Sequence, residues 1–214
     1  MLSKNKPIVF IVGPTAIGKT ALAIALAEKL KAEIVSCDAM QVYKEINIAS
    51  AKPSAAELKK IKHHALNLVS VEENFDVVKY RQIALEAIED ILKRGKRPII
   101  VGGSGMYMSV LLDGIFEEPA KDDAIRQDLE NQIEIQGTKA LHEKLQALDK
   151  QAAAKIHFND AKRIVRALEV VLSTKKPISQ LQQKRQGIWD QYPIKIFGLE
   201  RPREQMYQRA EERI

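Results

Sequence analysis

The chain has 214 residues, a mass of 24.1 kDa and a formal net charge of +6, enough for one core with a smaller subdomain. A hydrophobic fraction of 45% and a charged fraction of 29% are typical of a globular protein, and no apolar run reaches the roughly 20 residues that span a bilayer. We therefore expect no membrane segment. A single cysteine, Cys37, excludes an internal disulfide framework, so we expect a cytoplasmic protein.

Strand and helix patterns alternate through the first half of the chain. The predicted strands are PIVFIVG at 7–13, EIVSCD at 33–38, a third at about 64–70 and RPIIVGGSG from residue 97, and the predicted helices are 19–30 and 76–94. Strands separated by helices form βαβ units, so the pattern predicts an α/β fold with a parallel sheet and helices on both faces.

The pattern changes after Pro119, because only helical periodicity follows from 121 to about 186, with breaks near Gly137 and Pro177. We interpret this stretch as an inserted all-helical subdomain. A strand at 194–200 and a helix from about Pro202 follow it.

The predicted organisation therefore has three parts: the first part of the α/β core over 1–118, the helical insertion over 119–187, and the return to the core over 188–214. The last helical pattern reaches the end of the sequence without a stop signal, so we expect the chain to be truncated.

Basic residues concentrate in the insertion. Residues 155–185 carry eight Lys or Arg against two Asp or Glu, an excess equal to the net charge of the whole chain. A basic field of this kind suits a polyanion such as a nucleic acid. The alternative is an ordinary solvated helix face.

GPTAIGKT, residues 13–20, follows the first strand, precedes the first helix and fits the phosphate-loop pattern G-x-x-x-x-G-K-[ST]. Gly13 and Gly18 permit backbone conformations in which N–H groups face an anion, and the helix dipole adds to this field. Lys19 brings a mobile positive charge, and the Thr20 hydroxyl can ligate Mg²⁺. The predicted phosphate-binding residues are Gly13, Pro14, Thr15, Ala16, Ile17, Gly18, Lys19 and Thr20.

Asp38 stands at the carboxyl end of the second predicted strand, the edge at which open parallel sheets bind ligands. Three roles are open for it: a magnesium carboxylate, a general base, or the N-cap of a helix that begins over 39–43.

Four blocks together resemble the tRNA dimethylallyltransferase family, also called tRNA isopentenyltransferases. They are GPTAIGKT, DAMQVYKEINIASAKP, PIIVGGSGMY and HFNDAKRIVRALEV. The resemblance runs over residues 7–214 with the blocks in the family's order, and it implies a P-loop NTPase-like fold. The chain departs from the family at Ala49-Ser50, where Gly-Thr is usual, and at Ser104, where Thr is usual. Ala49 puts the closure of its loop in question, because glycine allows backbone geometry that alanine resists.

The family transfers a dimethylallyl group from dimethylallyl diphosphate to N6 of the adenine that follows the anticodon of tRNA, and it releases diphosphate. By this resemblance the phosphate loop holds the leaving group together with Mg²⁺ at Thr20, and Asp38 accepts the proton of the adenine amine. Arg203 matches a family arginine that contacts the diphosphate, with a surface helix arginine as the alternative. Ser104 either caps a helix or contacts the adenine.

The resemblance also implies the partners and the RNA contacts. The partners are tRNA and dimethylallyl diphosphate, with no membrane, and we expect a monomer. The implied tRNA-binding residues are Asp38, Ala39, Met40, Gln41, Ser104, Arg126, Lys162, Arg163, Ile164, Val165 and Arg166.

Three other functions compete with this interpretation. A P-loop kinase of a small metabolite would use ATP, and an adenylate isopentenyltransferase would use the same donor with a free nucleotide as acceptor. A non-enzymatic RNA-binding module would keep the basic surface without turnover. The basic insertion disfavours the first two, and the intact phosphate loop with Asp38 disfavours the third.

Overall fold

The computed structural model of the chain describes residues 6–116 and 122–211. Contacts divide the chain into a first unit, Met1–Gly114 with Gly187–Ile214, and a second unit, Ile115–Gln186. The predicted insertion, 119–187, coincides with most of the second unit. No helix within the described ranges is both long enough and apolar enough to cross a membrane.

The first unit is built on a five-stranded parallel sheet. Its strands are β1 (Ile8–Val12), β2 (Ala32–Cys37), β3 (His63–His64), β4 (Arg97–Gly102) and β5 (Ile194–Gly198), in the order β3-β2-β4-β1-β5. This arrangement confirms the predicted α/β fold with a parallel sheet.

Helices follow in chain order. The first unit contains α1 (Lys19–Leu30), α2 (Ala55–Lys60), α3 (Val77–Lys93) and α4 (Gly105–Leu112). The second unit contains α5 (Asp123–Leu148), α6 (Lys150–Ala153), α7 (Ala161–Thr174) and α8 (Ile178–Gln182). The chain then returns to the first unit with β5 and α9 (Arg203–Glu211).

Successive side chains of β1 point to opposite faces of the sheet, so the strand buries apolar groups on both faces. Val9 and Ile11 pack with α1 in one core cluster, and Ile8 and Phe10, also buried, point to the opposite face. Helix α3 contacts β2 and β4 and packs against α4. Because all strands are parallel, their carboxyl ends meet at one edge of the sheet, and the phosphate loop and Asp38 both follow such ends.

The third strand is shorter than predicted. The sequence suggests a strand at about 64–70, but β3 has two residues, and only an isolated bridge between Tyr43 and Val69 continues the pairing. Ala65 and Asn67 have φ of 58° and 51°, and such left-handed residues interrupt an extended run.

The second unit has its own core of buried apolar side chains, contributed chiefly by α5 and α7. Gly137 has non-helical angles (φ 81°, ψ 161°), which kinks α5 where the sequence predicts a break. Pro177 lies in the second predicted break and directly precedes α8.

Candidate active site

The phosphate loop joins β1 to α1, and two glycines with positive φ shape it. Gly13 has φ 151°, and Gly18, the N-cap of α1, has φ 103°. A Cβ atom on Gly13 would lie 3.1 Å from the carbonyl oxygen of Leu199, the residue after β5. A side chain at either glycine would be strained, so this loop shape depends on glycine and leaves the N-terminus of α1 open to an anion.

Most of the predicted phosphate-binding residues line one cavity. Pro14, Thr15 and Ala16 form part of its wall with the two glycines. Ile17 differs, because its side chain is buried, only 4% exposed, and does not line the cavity. Any contribution of Ile17 to phosphate binding would therefore come from its backbone.

Lys19 and Thr20 form the first turn of α1 and also line the cavity. Lys19 Nζ donates hydrogen bonds to the carbonyl oxygens of Gly13 at 2.9 Å and Pro14 at 2.8 Å, which places the ammonium group against the loop. The Thr20 hydroxyl suits Mg²⁺, an ion that takes oxygen ligands and usually keeps water and substrate phosphates around few protein groups. No cluster of three His, Cys, Asp or Glu side chains that could enclose a metal occurs in the described part of the chain.

Strands β2 and β4 approach each other closely where both end. A Cβ atom on Gly102 would lie 1.9 Å from the carbonyl oxygen of Cys37, so the position requires glycine. Ser104 reaches across to β2: its backbone N donates to Cys37 O at 3.2 Å, and its hydroxyl accepts a hydrogen bond from Ala39 N at 2.9 Å. Ser104 occupies the N-cap position of α4 without capping it through its side chain, so the hydroxyl holds the turn after β2 instead.

Asp38 is the first residue after β2, and its half-buried side chain lines the cavity. Its Oδ1 accepts a hydrogen bond from Met40 N at 2.9 Å, residues 39–42 form turns, and Tyr43 forms the isolated bridge with Val69. The N-cap interpretation of Asp38 is therefore wrong, because turns and not a helix follow Asp38, and its side chain stabilises the first of them. The carboxylate is left at the cavity, where a base or a metal ligand could act.

Gln41 ties β2 to the loop over residues 46–53. Its Oε1 accepts a hydrogen bond from the Ser36 hydroxyl at 2.8 Å, and its Nε2 donates to the carbonyls of Ser50 at 3.1 Å and Ala51 at 3.3 Å. The resemblance implies a contact between Gln41 and RNA. In the structure the amide braces the wall of the cavity that it lines.

The departure at Ala49 does not require a strained backbone. The positive φ in this loop belongs to Ala51, at 48°, and not to Ala49. Ser50 is buried, and its hydroxyl donates a hydrogen bond to the carbonyl of Ile46. The hydroxyl that replaces the usual threonine therefore closes the loop internally.

The phosphate loop, Asp38, Gln41 and Ser104 line one cavity of about 720 Å³. Its lining brings together the phosphate loop, the ends of β2 and β4, and the loop over 49–53. The cavity thus joins an anion cradle to a carboxylate and several hydrogen-bonding groups. Cys37 lies behind it, fully buried, and burial raises the pKa of its thiol to about 12, so the thiol does not act as a nucleophile.

Within the described residues, Arg209 reaches the phosphate loop, a contact that the sequence analysis missed. Its Nε donates a hydrogen bond to the carbonyl of Ala16 at 2.9 Å, and its side chain lines the cavity. Arg203, the predicted diphosphate contact, is the exposed first residue of α9 and does not line the cavity. The helical pattern after Pro202 contains both arginines, but only the direction of α9 against the sheet selects between them.

The second unit, taken by itself, carries the predicted RNA contacts other than Asp38, Ala39, Met40, Gln41 and Ser104, which lie in the first unit. Lys162 and Arg163 are exposed at the start of α7, and Arg166 is partly exposed one turn later. Ile164 and Val165 are buried in the core of the unit, so any contact of these two residues with tRNA would come from their backbone. An amphipathic helix cannot present five consecutive side chains to one ligand.

Comparisons with known proteins agree on one family. The sequence profile described as IPP transferase matches residues 41–214. A tRNA dimethylallyltransferase of Geobacter metallireducens is 44% identical over 97% of this chain and 67% of its own length. One of Bacillus subtilis is 40% identical over 100% of this chain and 68% of its own length.

Solved structures agree as well. A eukaryotic dimethylallyltransferase that acts on tRNA is 30% identical with a TM-score of 0.82, over 98% of this chain and 52% of that one. The tRNA isopentenylpyrophosphate transferase of Bacillus halodurans is 34% identical with a TM-score of 0.62, over 98% of this chain and 65% of that one. The chain thus spans about two thirds of its bacterial relatives and about half of the eukaryotic structure. It belongs to the tRNA dimethylallyltransferase family.

Proposed function

We propose that the chain transfers a dimethylallyl group from dimethylallyl diphosphate to N6 of the adenine 3′-adjacent to the anticodon of tRNA. The observation that carries this proposal is the shared cavity, where the glycine-shaped phosphate loop and the Asp38 carboxylate meet. The names of the relatives supply the donor class and the acceptor. We place the reaction in the cytoplasm, with the chain acting as a monomer.

The phosphate loop holds the diphosphate of the donor. The N-terminus of α1, the Lys19 ammonium and the Arg209 guanidinium surround the place where negative charge develops as the allylic C–O bond breaks. The electron pair of that bond leaves with the diphosphate oxygen, and preorganised donors stabilise this charge. Mg²⁺, held by the Thr20 hydroxyl and the diphosphate, would neutralise further charge when bound.

The acceptor is an exocyclic amine, a weak nucleophile. Its lone pair forms the new C–N bond to the allylic carbon, and its proton passes to a carboxylate oxygen of Asp38. The hydrogen bond from Met40 N holds this carboxylate at the cavity. Ser104, which also lines the cavity, fixes the backbone next to Asp38 through its bond to Ala39.

An adenine stacked in an anticodon loop must leave the stack before its N6 can enter a cavity, which costs a few kcal/mol. Contacts with the surrounding RNA backbone offset that cost. We assign them to the exposed or partly exposed cations of the second unit: Arg126, Lys162, Arg163 and Arg166. Such contacts predict tRNA binding that weakens with salt.

The test offers labelled dimethylallyl diphosphate and ATP to the chain, with either an unmodified tRNA transcript or AMP as acceptor. Label in the tRNA, at the adenine after the anticodon, is expected. Label in AMP would instead identify an adenylate isopentenyltransferase, and ATP consumption without prenyl transfer would identify a kinase. tRNA binding without turnover would leave only a binding module.

A further inference from the structure

A carboxylate lies inside the core of the second unit. Glu169, on α7, is 1% exposed and neighbours the buried Leu168 and Val170. An ionised carboxylate at such a site costs several kcal/mol in desolvation unless cations and hydrogen bonds compensate for it. The role of Glu169 therefore depends on the cations and hydrogen-bond donors around it.

Two of the partners are arginines to which we assign tRNA contacts. Arg126 Nη2 lies 2.7 Å from Glu169 Oε2, and Arg166 Nη1 lies 3.1 Å from the same oxygen. The other oxygen, Oε1, accepts a hydrogen bond from Asp122 N at 3.0 Å. Because both cations contact one oxygen atom, two guanidinium groups from different helices lie side by side.

The arrangement keeps all three groups charged. Burial alone would raise the pKa of Glu169, but the hydrogen bonds from Arg126, the backbone of Asp122 and Arg166 lower it overall. The side chains of Arg126 and Arg166 remain 32% and 22% exposed, so both can meet a ligand from solvent. The cluster carries one net positive charge, and each guanidinium presents its N–H donors in a planar fork.

We propose that Glu169 is a positioning residue that presents Arg126 and Arg166 as one two-pronged clamp for a phosphate of the tRNA backbone. Without the carboxylate, two adjacent guanidinium groups repel each other and separate. With it, their planar forks hold a fixed spacing, which matches the bidentate recognition of phosphate oxygens. This inference rests on the proposed function, because it deepens the tRNA contact of the same unit.

The test compares Glu169→Gln with Glu134→Gln in binding to an unmodified tRNA transcript over a range of salt concentrations. Glu134 is an exposed residue of α5, so both variants raise the net charge equally. A pure charge effect would strengthen tRNA binding in both. If Glu169 positions the arginines, Glu169→Gln instead weakens binding about tenfold and lowers the salt slope by about one phosphate contact.

A mutant cycle separates positioning from general destabilisation. In an Arg126→Ala/Arg166→Ala background, Glu169→Gln is expected to change tRNA affinity less than about twofold, because nothing remains to position. An equal loss in both backgrounds would overturn the proposal. If Glu169→Gln does not fold, Arg126→Ala, Arg166→Ala and the double variant are compared for tRNA affinity. A double-variant loss equal to the product of the two single losses contradicts one clamp. A double-variant loss close to that of either single variant supports it.

The failure of this inference differs from the failure of the proposed function. If the unmodified chain binds tRNA with a steep salt dependence and Glu169→Gln behaves like Glu134→Gln, the clamp alone is wrong. If the unmodified chain shows no salt-dependent binding to tRNA, the tRNA contact of the second unit is wrong, and the clamp falls with it.

Discussion

The two edges of the parallel sheet in the first unit hold charged groups in opposite ways. At the carboxyl edge, Asp38 and Arg209 line an open cavity, and hydrogen bonds with backbone atoms hold them there. At the amino edge, Glu33 in β2 is 2% exposed and is enclosed by side-chain cations. A charge that its partners enclose, such as Glu33, stabilises the fold. A charge that backbone atoms hold at an open cavity, such as Asp38 or Arg209, is still able to bind a ligand.

At the amino edge, three side chains surround the carboxylate of Glu33. Glu33 accepts hydrogen bonds from Arg94, from Lys96 at 2.8 Å and from His64 at 2.8 Å. The hydrogen bond from Arg94 is the largest cause that lowers the pKa of Glu33, although burial opposes it. We therefore expect substitutions at the amino edge to change stability and those at the carboxyl edge to change activity.

The largest effect is expected at Asp38. Asp38→Asn keeps the shape of the side chain but removes the base, so the rate of prenyl transfer should fall by about 10²- to 10⁴-fold. Single-turnover transfer to tRNA at saturating substrates measures this rate. Asp190→Asn, an exposed site in the same unit, is the matched control and should leave the rate unchanged. A nearly unaffected rate in Asp38→Asn, with intact tRNA binding, would eliminate the base role.

The next effect concerns stability at the amino edge. Glu33→Gln leaves Arg94 and Lys96 without their shared carboxylate and should lower the free energy of unfolding by about 3 kcal/mol. The loss lies at the lower end of the range for broken buried pairs because both cations are partly exposed, at 34% and 45%. Urea unfolding measures the loss. Asp90→Asn removes a 53% exposed partner of Arg94 and should change stability by less than about 1 kcal/mol.

The same cluster predicts a pH dependence with a definite sign. The folded pKa of Glu33 is lowered, so its contribution is fully present above the unfolded pKa and is lost as the pH falls below it. The unmodified chain should therefore lose its advantage over Glu33→Gln progressively below about pH 4, near the ordinary pKa of glutamate. Urea unfolding of both proteins at pH 7 and in the acid range checks this. An unchanged difference would show that Glu33 is not ionised in the fold.

A third substitution compares two arginines of one helix. Arg209→Ala should weaken the binding of dimethylallyl diphosphate by about 1.5 to 3 kcal/mol, the usual value of charged hydrogen bonds. Arg203→Ala is the matched control, because Arg203 is exposed on α9 outside the cavity. The KM for the donor measures both. A larger loss at Arg203 than at Arg209 would mean that α9 meets the loop in another way.

Sequence alone was sufficient where backbone geometry follows from residue type. The glycines of the phosphate loop, the parallel order of strands and helices and the position of Asp38 at a strand end are each tied to a short pattern. The missed helix α2 was also readable, because Ser54 and Glu57 form a capping box at its start.

The errors and omissions have a different origin, since they depend on side-chain contacts that no short pattern specifies. A helix after Asp38 fits the local pattern, but the Asp38 carboxylate accepts a hydrogen bond from Met40 N, the Gln41 amide donates to the loop carbonyls, and both favour turns. The choice of Arg209 over Arg203 depends on how α9 meets the loop. The pairing of Arg126 with Arg166 depends on a buried carboxylate that no spacing in the sequence reveals.

The smallest effect tests whether backbone strain at the carboxyl edge matters for binding. Ala51 has φ 48° in the loop whose carbonyls hold Gln41, and Lys31, just before β2 at the amino edge, has φ 50°. Glycine at either position relieves left-handed strain of about 1 to 2 kcal/mol but enlarges the entropy of the unfolded chain, so each variant should gain at most about 1 kcal/mol.

Activity separates the two glycine variants. Ala51→Gly loosens the brace around Gln41 and should raise the KM for tRNA about twofold to threefold, a change of less than 1 kcal/mol. Lys31→Gly relieves the same kind of strain at the far edge and should leave the KM unchanged. Steady-state transfer at fixed salt measures both values. Equal KM values in the two variants would show that the strained residue serves the fold alone, and the contrast between the two edges would then rest on charge and not on backbone conformation.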